Sequence, residues 1–283
     1  DLQDFLQSLG IATHVERGGR VFPESNNAPL VAKVLIKWAQ SQGVQIQTRT
    51  RVTDIRVRNG RVTGVNILNQ DKEPAELQAR QVILATGGAS YPGTGSTGEG
   101  YDFARRIGHS VQLITPALVP LMVDEHNIVQ QVQGLSLRNV AVWVSSQGKV
   151  FGSGFGEMLF THFGLSGPVI LSLSQEVVRT WEKGQKISVH IDLKPALSDQ
   201  KLDDRLIRDF REQGRRQLKT VLKGMLPSGM IPICLQQTGL SGETVASQIT
   251  AQERQVLRSW FKDISFTVSG HRSFAEAIVT AGG

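Results

Sequence analysis

One cysteine, Cys234, stands in 283 residues. A lone thiol excludes an internal disulfide and any cysteine-based metal cluster. It lies in the apolar stretch IPICL, where it reads as a buried, inert group. Long apolar runs are missing as well. The richest, Pro168 to Leu173, falls far short of the ~20 residues that cross a bilayer. The amino terminus, DLQDFLQSLG, is acidic and amphipathic, which matches neither a secretory signal nor a transit peptide, so a cytoplasmic setting is expected. It carries no initiator Met and starts in helical pattern, so residue 1 reads as a cut through a longer protein. The histidines at 14, 109, 126, 162, 190 and 271 include no pair at metal-ligand spacing, and neither HExxH nor G-x-S-x-G occurs. No metal site is expected. Internal repeats and low-complexity tracts are also absent.

What is present is a globular balance, 40% hydrophobic and 20% charged residues, with no signature of disorder. The net charge of +6 suits an anionic cofactor or substrate, but it is too diffuse to demand nucleic acid. The most informative segment is Gln81 to Gly100, QVILATGGASYPGTGSTGEG. There an apolar run ends at Ala85-Thr86, the backbone loses its side chains, and a helical pattern begins near Thr97. Bare backbone between a strand and a helix lets a ligand approach closely, and the helix end favours negative charge.

Around this segment the pattern predicts a helix over 27–42 closed by Gly43, and period-two strands over 44–68 with a hairpin turn at Asn59-Gly60. A short apolar strand is predicted over Ala79–Ala85, and a helix over 98–107 ending at Gly108. After Pro116 the texture changes. Strands are expected at 119–123, 140–145 and 186–193, a charged helical region at 198–262 broken at Pro227 and Pro232, and strand character again at 266–268 and 275–280. The reading is an α/β domain over 1–115, a β-rich then helical insert over 116–271, and a return strand over 272–283.

Gly93-Thr94-Gly95-Ser96-Thr97-Gly98 spells the dinucleotide fingerprint G-x-G-x-x-G. Residues 87–92 separate it from its strand, and no acidic residue follows at the ribose spacing. It remains either a glycine loop near a nucleotide or a structural turn. His162, in GEMLFTHFGLSGPVIL, could face a pocket as donor or acid. The plainer reading is a histidine held in a tight turn, with Ser166 capping the next helix and Pro168 in its first turn. Arg205, Arg208, Arg211, Arg215, Arg216, Lys219 and Lys223 form a basic stretch interleaved with Asp203, Asp204, Asp209 and Glu212. It reads as a salt-bridged solvent face, with Phe210 its sole aromatic companion.

At ATGG (85–88), GEMLFTHFGLSGP (156–168) and FAEAIVTAGG (274–283), the chain resembles the bacterial BaiN/YhiN-type FAD-dependent oxidoreductases of the glutathione-reductase-like flavoprotein superfamily. The likeness runs from the GGRVFP segment (18–23) to Gly283. It implies an incomplete Rossmann-type FAD-binding domain interrupted by the insert, with FAD as cofactor, NAD(P)H as reductant and a small-molecule substrate. Carried over, Ala85, Thr86, Gly87 and Gly88 deliver backbone to the dinucleotide, Val52 holds adenine through its main chain, Arg20 and Phe22 lie beside the flavin ring, and His162 is the catalytic candidate on the substrate side.

The family's opening βαβ unit and closing flavin segment have no counterpart between Asp1 and Gly283. The expectation is therefore a core fragment that folds but binds FAD weakly or not at all, its exposed sheet edges covered by homodimerisation. Nucleic acid is disfavoured as a partner. A flavoprotein relative acting on RNA through its basic insert, and a ligand-free structural module, stand as alternatives.

Overall fold

The computed structural model describes residues 1–16 and 19–283, so Gly18 of the GGRVFP segment lies outside the described residues. The chain divides into two compact units, Asp1–Val82 and Ile83–Gly283.

In the first unit, helix α1 (Leu2–Ser8) starts from a capping box built by Asp1 and Asp4. Strands β1 (Thr13–Val15) and β2 (Val21–Pro23) form an antiparallel ribbon. Helix α2 (Ala28–Ser41) is capped by the Asn27 side chain and followed by Gly43 at φ 84°, as the sequence predicts. Strands β3 (Arg51–Arg58) and β4 (Arg61–Leu68) pair across Asn59-Gly60, whose positive φ values of 52° and 72° suit the twist of a two-residue hairpin. Strand β5 (Pro74–Gln78) completes this sheet in the order β3-β4-β5. Among the described residues of the first unit the buried hydrophobic side chains are Ile11, Ile55 and Ile67.

The second unit opens with a correction. Residues 83–85, the end of the expected Ala79–Ala85 strand, run as irregular chain, and 79–82 are equally irregular in the first unit. Ile83 is 91% exposed. An apolar run becomes a strand only where a neighbour accepts its ladder bonds, and no described strand pairs with this one. All ladders among the described residues are antiparallel.

Helix α3 (Glu99–Arg106) begins at Gly98, φ 84°, and is followed by Gly108, φ 97°. Strands β6 (Thr115–Ala117) and β7 (Leu121–Val123), helix α4 (His126–Gln131), and strands β8 (Ser136–Ser146), β9 (Lys149–Thr161) and β10 (Gly164–Ser166) follow. Then come helix α5 (Pro168–Trp181), strand β11 (Ser188–Asp192) and helices α6 (Asp199–Glu212), α7 (Leu218–Val221), α8 (Met230–Thr238) and α9 (Ala251–Lys262). Strands β12 (Ile264–His271) and β13 (Val279–Ala281) end the chain. Of the expected 275–280 strand only 279–280 is extended, as the first two residues of β13. Pro232 does not break α8, because it sits in the first turn, where its missing N–H has no partner to lose.

Six of these strands close a barrel in the order β10-β7-β12-β11-β8-β9. Alternate residues point inward: Val140, Val142 and Val144 from β8, Val189 and Ile191 from β11, and Ile264, Phe266 and Val268 from β12 are buried. The Phe160 and Phe266 rings meet at 5.8 Å inside. On the wall, Ser145 Oγ lies 2.9 Å from His190 Nε2 and Asp263 Oδ1 lies 2.8 Å from Nδ1, tying β8 and β11 to the residue that leads from α9 into β12.

Helix α5 approaches β9 closely because β9 presents glycines to it. A Cβ on Gly154 would stand 2.8 Å from Val169, and one on Gly152 3.3 Å from Leu173. The helix starts from Gly167, not from Ser166, and Gly167 adopts φ 90° beside the Met158 and Leu159 backbone. The four helices after β11 extend the barrel core: Leu202, Leu206 and Phe210 of α6 and Leu257, Trp260 and Phe261 of α9 are buried in one cluster. A small separate cluster joins Val119, Val178 of α5 and Ala277. The α/β reading with a β-rich and helical insert therefore holds.

Candidate functional site

The loop after residue 82 is held open by what surrounds it. Among the described residues, the backbone N–H groups from Gln81 to Gly88 make no intramolecular hydrogen bond. Ala85, Thr86 and Gly87 are exposed. Gly87 adopts φ 75°, and a Cβ there would lie 2.7 Å from Ser96 Oγ. Gly88 lies against strand β13, where a Cβ would meet Thr280 Oγ1 at 2.5 Å. The Gly88 carbonyl accepts the Gly98 N–H at 3.0 Å, which seats the start of α3 beside the loop. Gly100 has no room for a side chain because Thr86 Oγ1 occupies that space. The glycine loop over 93–98 thus acts as a turn: it sets Gly98 against Gly88, while a Cβ on Gly93 or Gly95 would meet nothing.

Thr280 is the organising residue that sequence reasoning missed. Its Oγ1 accepts the N–H groups of Ala89 and Ser90 at 2.8 and 3.1 Å, and lies 2.9 Å from Ser90 Oγ. A signal existed, since Thr280-Ala281-Gly282-Gly283 echoes Thr86-Gly87-Gly88. Tyr101 belongs here too, its hydroxyl 3.5 Å from a Cβ position on Gly88 and its ring against Gly283.

His162 is exposed in the turn between β9 and β10, its ring edge-on to Phe163 at 4.9 Å. Thr161 Oγ1 accepts the Gly164 N–H and donates to the Gly164 carbonyl, both at 3.1 Å. A Cβ on Gly164 would strike the Leu121 carbonyl. Arg272 places its guanidinium 4.5 Å from the Phe163 ring centre and donates through Nε to Glu276 at 2.7 Å.

The remaining candidates belong to the first unit. Arg20 pairs with Glu16 at 3.1 Å and lies 5.8 Å from the Phe22 ring centre, and Phe22 stacks on His14. Val52, on the edge strand β3, pairs with Ile67 of β4.

Residues 115–279, the barrel with its following helices, match the family described as HI0933-like protein barrel and H2TH domain. The chain belongs to this family. Residues 10–137 of this HI0933-like protein match a second family, FAD dependent oxidoreductase, for which FAD binding is the family property. Together these matches establish the resemblance to BaiN/YhiN-type flavoproteins.

Among curated relatives, a 3-dehydro-bile acid delta(4,6)-reductase of Clostridium scindens is 28% identical over 99% of this chain. Ribosomal RNA dihydrouridine synthases of Haemophilus influenzae and Escherichia coli are 28% and 27% identical over 100% of it. The chain spans 66% of the length of each. Among the described residues no helix is long and apolar enough to cross a membrane, and no cluster of His, Cys, Asp or Glu could hold a metal.

Proposed function

We propose that the whole protein is an FAD-dependent oxidoreductase that moves electrons between NAD(P)H and a small molecule. The observation that carries this reading is the exposed, glycine-lined loop at 85–88. Its N–H groups are unspent, and a threonine from the far end of the chain braces it. The donor set fits a dinucleotide held through backbone: bare main chain permits close approach, and free N–H groups suit phosphate and ribose oxygens. FAD, when bound, supplies the two-electron chemistry, while the protein binds, orients and shields it.

In this reading Ala85, Thr86, Gly87 and Gly88 hold the dinucleotide. Val52 takes adenine through the main chain of an edge strand, and Arg20 and Phe22 border the flavin ring. His162, exposed at the head of the barrel turn, faces the substrate and supplies a proton. The flavin-binding part comprises 1–115 and 272–283, and the insert over 116–271 contributes the substrate side. The bile acid reductase among the relatives supports a small-molecule acceptor. The two ribosomal RNA dihydrouridine synthases keep a nucleic-acid acceptor in view.

A visible spectrum after adding FAD and dialysing tests the reading. Retained flavin, lost on Gly88→Ala, supports it and leads to an NAD(P)H oxidation assay. Flavin retention indifferent to every change at 85–88 would sink the assigned site.

A further inference from the structure

We infer that Ser145, His190 and Asp263 make a nucleophilic site on the outer wall of the barrel, one that cleaves short-chain carboxylic esters. It needs no flavin, and its failure would leave the flavin reading untouched.

The site follows from strand register. Along β8 the side chains of Val140, Val142 and Val144 fill the barrel, so Ala141, Trp143 and Ser145 face outward. In the ladder His190 of β11 lies opposite Trp143, and Ser188 lies opposite Ser145. Ser145 and His190 are therefore diagonal neighbours on one face, and Ser145 Oγ comes within 2.9 Å of His190 Nε2. On its other edge the ring meets Asp263 Oδ1, 2.8 Å from Nδ1. Asp263 closes α9, where its own N–H donates to the Ser259 carbonyl at 2.9 Å.

These partners fix the direction of proton flow. A carboxylate only accepts, so Nδ1 carries the hydrogen, and the neutral ring keeps its lone pair on Nε2. That lone pair faces the Ser145 hydroxyl. A nucleophile beside a base, with the base oriented by a third group, is the arrangement that activates a serine. Trp143 lies flat on the imidazole, 5.1 Å between ring centres and 4° from parallel. It holds the ring in place, and its π-face suits the ring when it carries the transferred proton. The His190 side chain is 19% exposed, so the site opens to solvent.

The reaction closes with these groups and water. Ser145 Oγ attacks the ester carbonyl carbon while its proton passes to Nε2. The Ser188 hydroxyl, opposite Ser145 and without an intramolecular partner among the described residues, is placed to donate to the oxyanion. The carbon–oxygen bond to the alcohol then breaks, and the alkoxide leaves with the proton from Nε2. Water repeats the sequence on the acyl-serine, releasing the carboxylic acid and restoring the hydroxyl. Val150 pairs with Ser145 from β9 and is 60% exposed. This single apolar side chain beside the nucleophile suits a short aliphatic acyl group.

The test is labelling of the whole chain with a fluorophosphonate, read by peptide mass spectrometry, beside hydrolysis of p-nitrophenyl butyrate. The adduct is expected on Ser145 and is lost in Ser145→Ala. His190→Gln is expected to slow both reactions by about a hundredfold or more. Asp263→Asn is expected to lower kcat while KM stays within about twofold, since Asp263 positions the ring without touching the ester. Ser153→Ala, on the outer face of β9, is expected to change neither reaction. An adduct on some other serine, no adduct on the folded chain, or hydrolysis unmoved by Asp263→Asn would overturn the site and leave the three groups as a tie between strands. A thermal melt of each variant reports on folding. Asp263→Asn, isosteric and at a side chain 49% exposed, keeps the comparison valid should Ser145→Ala disturb the wall.

Discussion

Thr280 Oγ1 accepts the Ala89 N–H at 2.8 Å across 191 positions of sequence. With the Ser90 N–H beside it at 3.1 Å, one hydroxyl satisfies two successive main-chain donors at the base of the glycine loop. Thr280→Val keeps the shape and removes the acceptor. It is expected to destabilise the second unit by about 1–3 kcal/mol, the cost of stranding partly buried donors, and to lower flavin retention. Thr280→Ser should recover most of both. Thermal melts and flavin titration of the three proteins check this.

Adding one carbon inside the loop separates binding from folding. Gly87→Ala must accept φ 75° and a Cβ 2.7 Å from Ser96 Oγ, and Gly88→Ala pushes directly on Thr280. Both variants are expected to retain the barrel, whose core lies elsewhere, and to lose flavin. Far-UV circular dichroism alongside FAD titration decides it: unchanged titrations would show that the loop is not where FAD sits.

Acid sensitivity is built into the start of α9. The Glu253 carboxyl is held below its ordinary value of 4.5, first by the Thr250 backbone N–H and then by the Thr250 hydroxyl. A depressed carboxylate contributes stability that is complete above pH 4.5 and lost as pH falls through the lowered value. Thr250→Val removes the hydroxyl's share. Urea midpoints of parent and variant are expected to differ most near pH 7 and to draw closer in acid, where the lost cap from Thr250 Oγ1 to the Glu253 N–H is the part of the gap that remains. A gap that does not narrow with acid would contradict this.

Burial pushes the Cys234 thiol up to about 12. A group that stays protonated and fully covered at neutral pH reacts slowly. An aromatic disulfide reagent is expected to report no fast thiol in the native chain and one in urea. Rapid native labelling would contradict the buried placement.

Local signals were readable and distant ones were not. Asn27, the periodicity of 28–41 and Gly43 specified α2, and Asn59-Gly60 specified its hairpin, because each is a contract among neighbours. Barrel closure sets β7 beside β10 and β8 beside β11, and no local period encodes such registers. Strand β9 escaped notice because Gly152, Gly154 and Gly156 read as loop, whereas they make room for α5. The Ala79–Ala85 run showed the opposite error: apolar pattern reports a preference for burial, not the presence of a neighbour. In the candidate site, ATGG was legible as bare backbone. Its brace, Thr280, was hidden by the length of chain between them.

The glycines of β9 also act as a gauge. Their missing side chains fix how near α5 rides to the barrel, and α5 holds the approach to the return strand through Val178 against Val119 and Ala277. Ser174 of the same helix accepts the Val119 N–H at 3.0 Å. A methyl group added at Gly154 would crowd Val169 in the first turn of α5, the helix that carries Val178 against Ala277, three residues before Thr280. The barrel wall and the brace of the 85–88 loop are joined through one helix, and its closest fit falls where the chain carries no side chain at all.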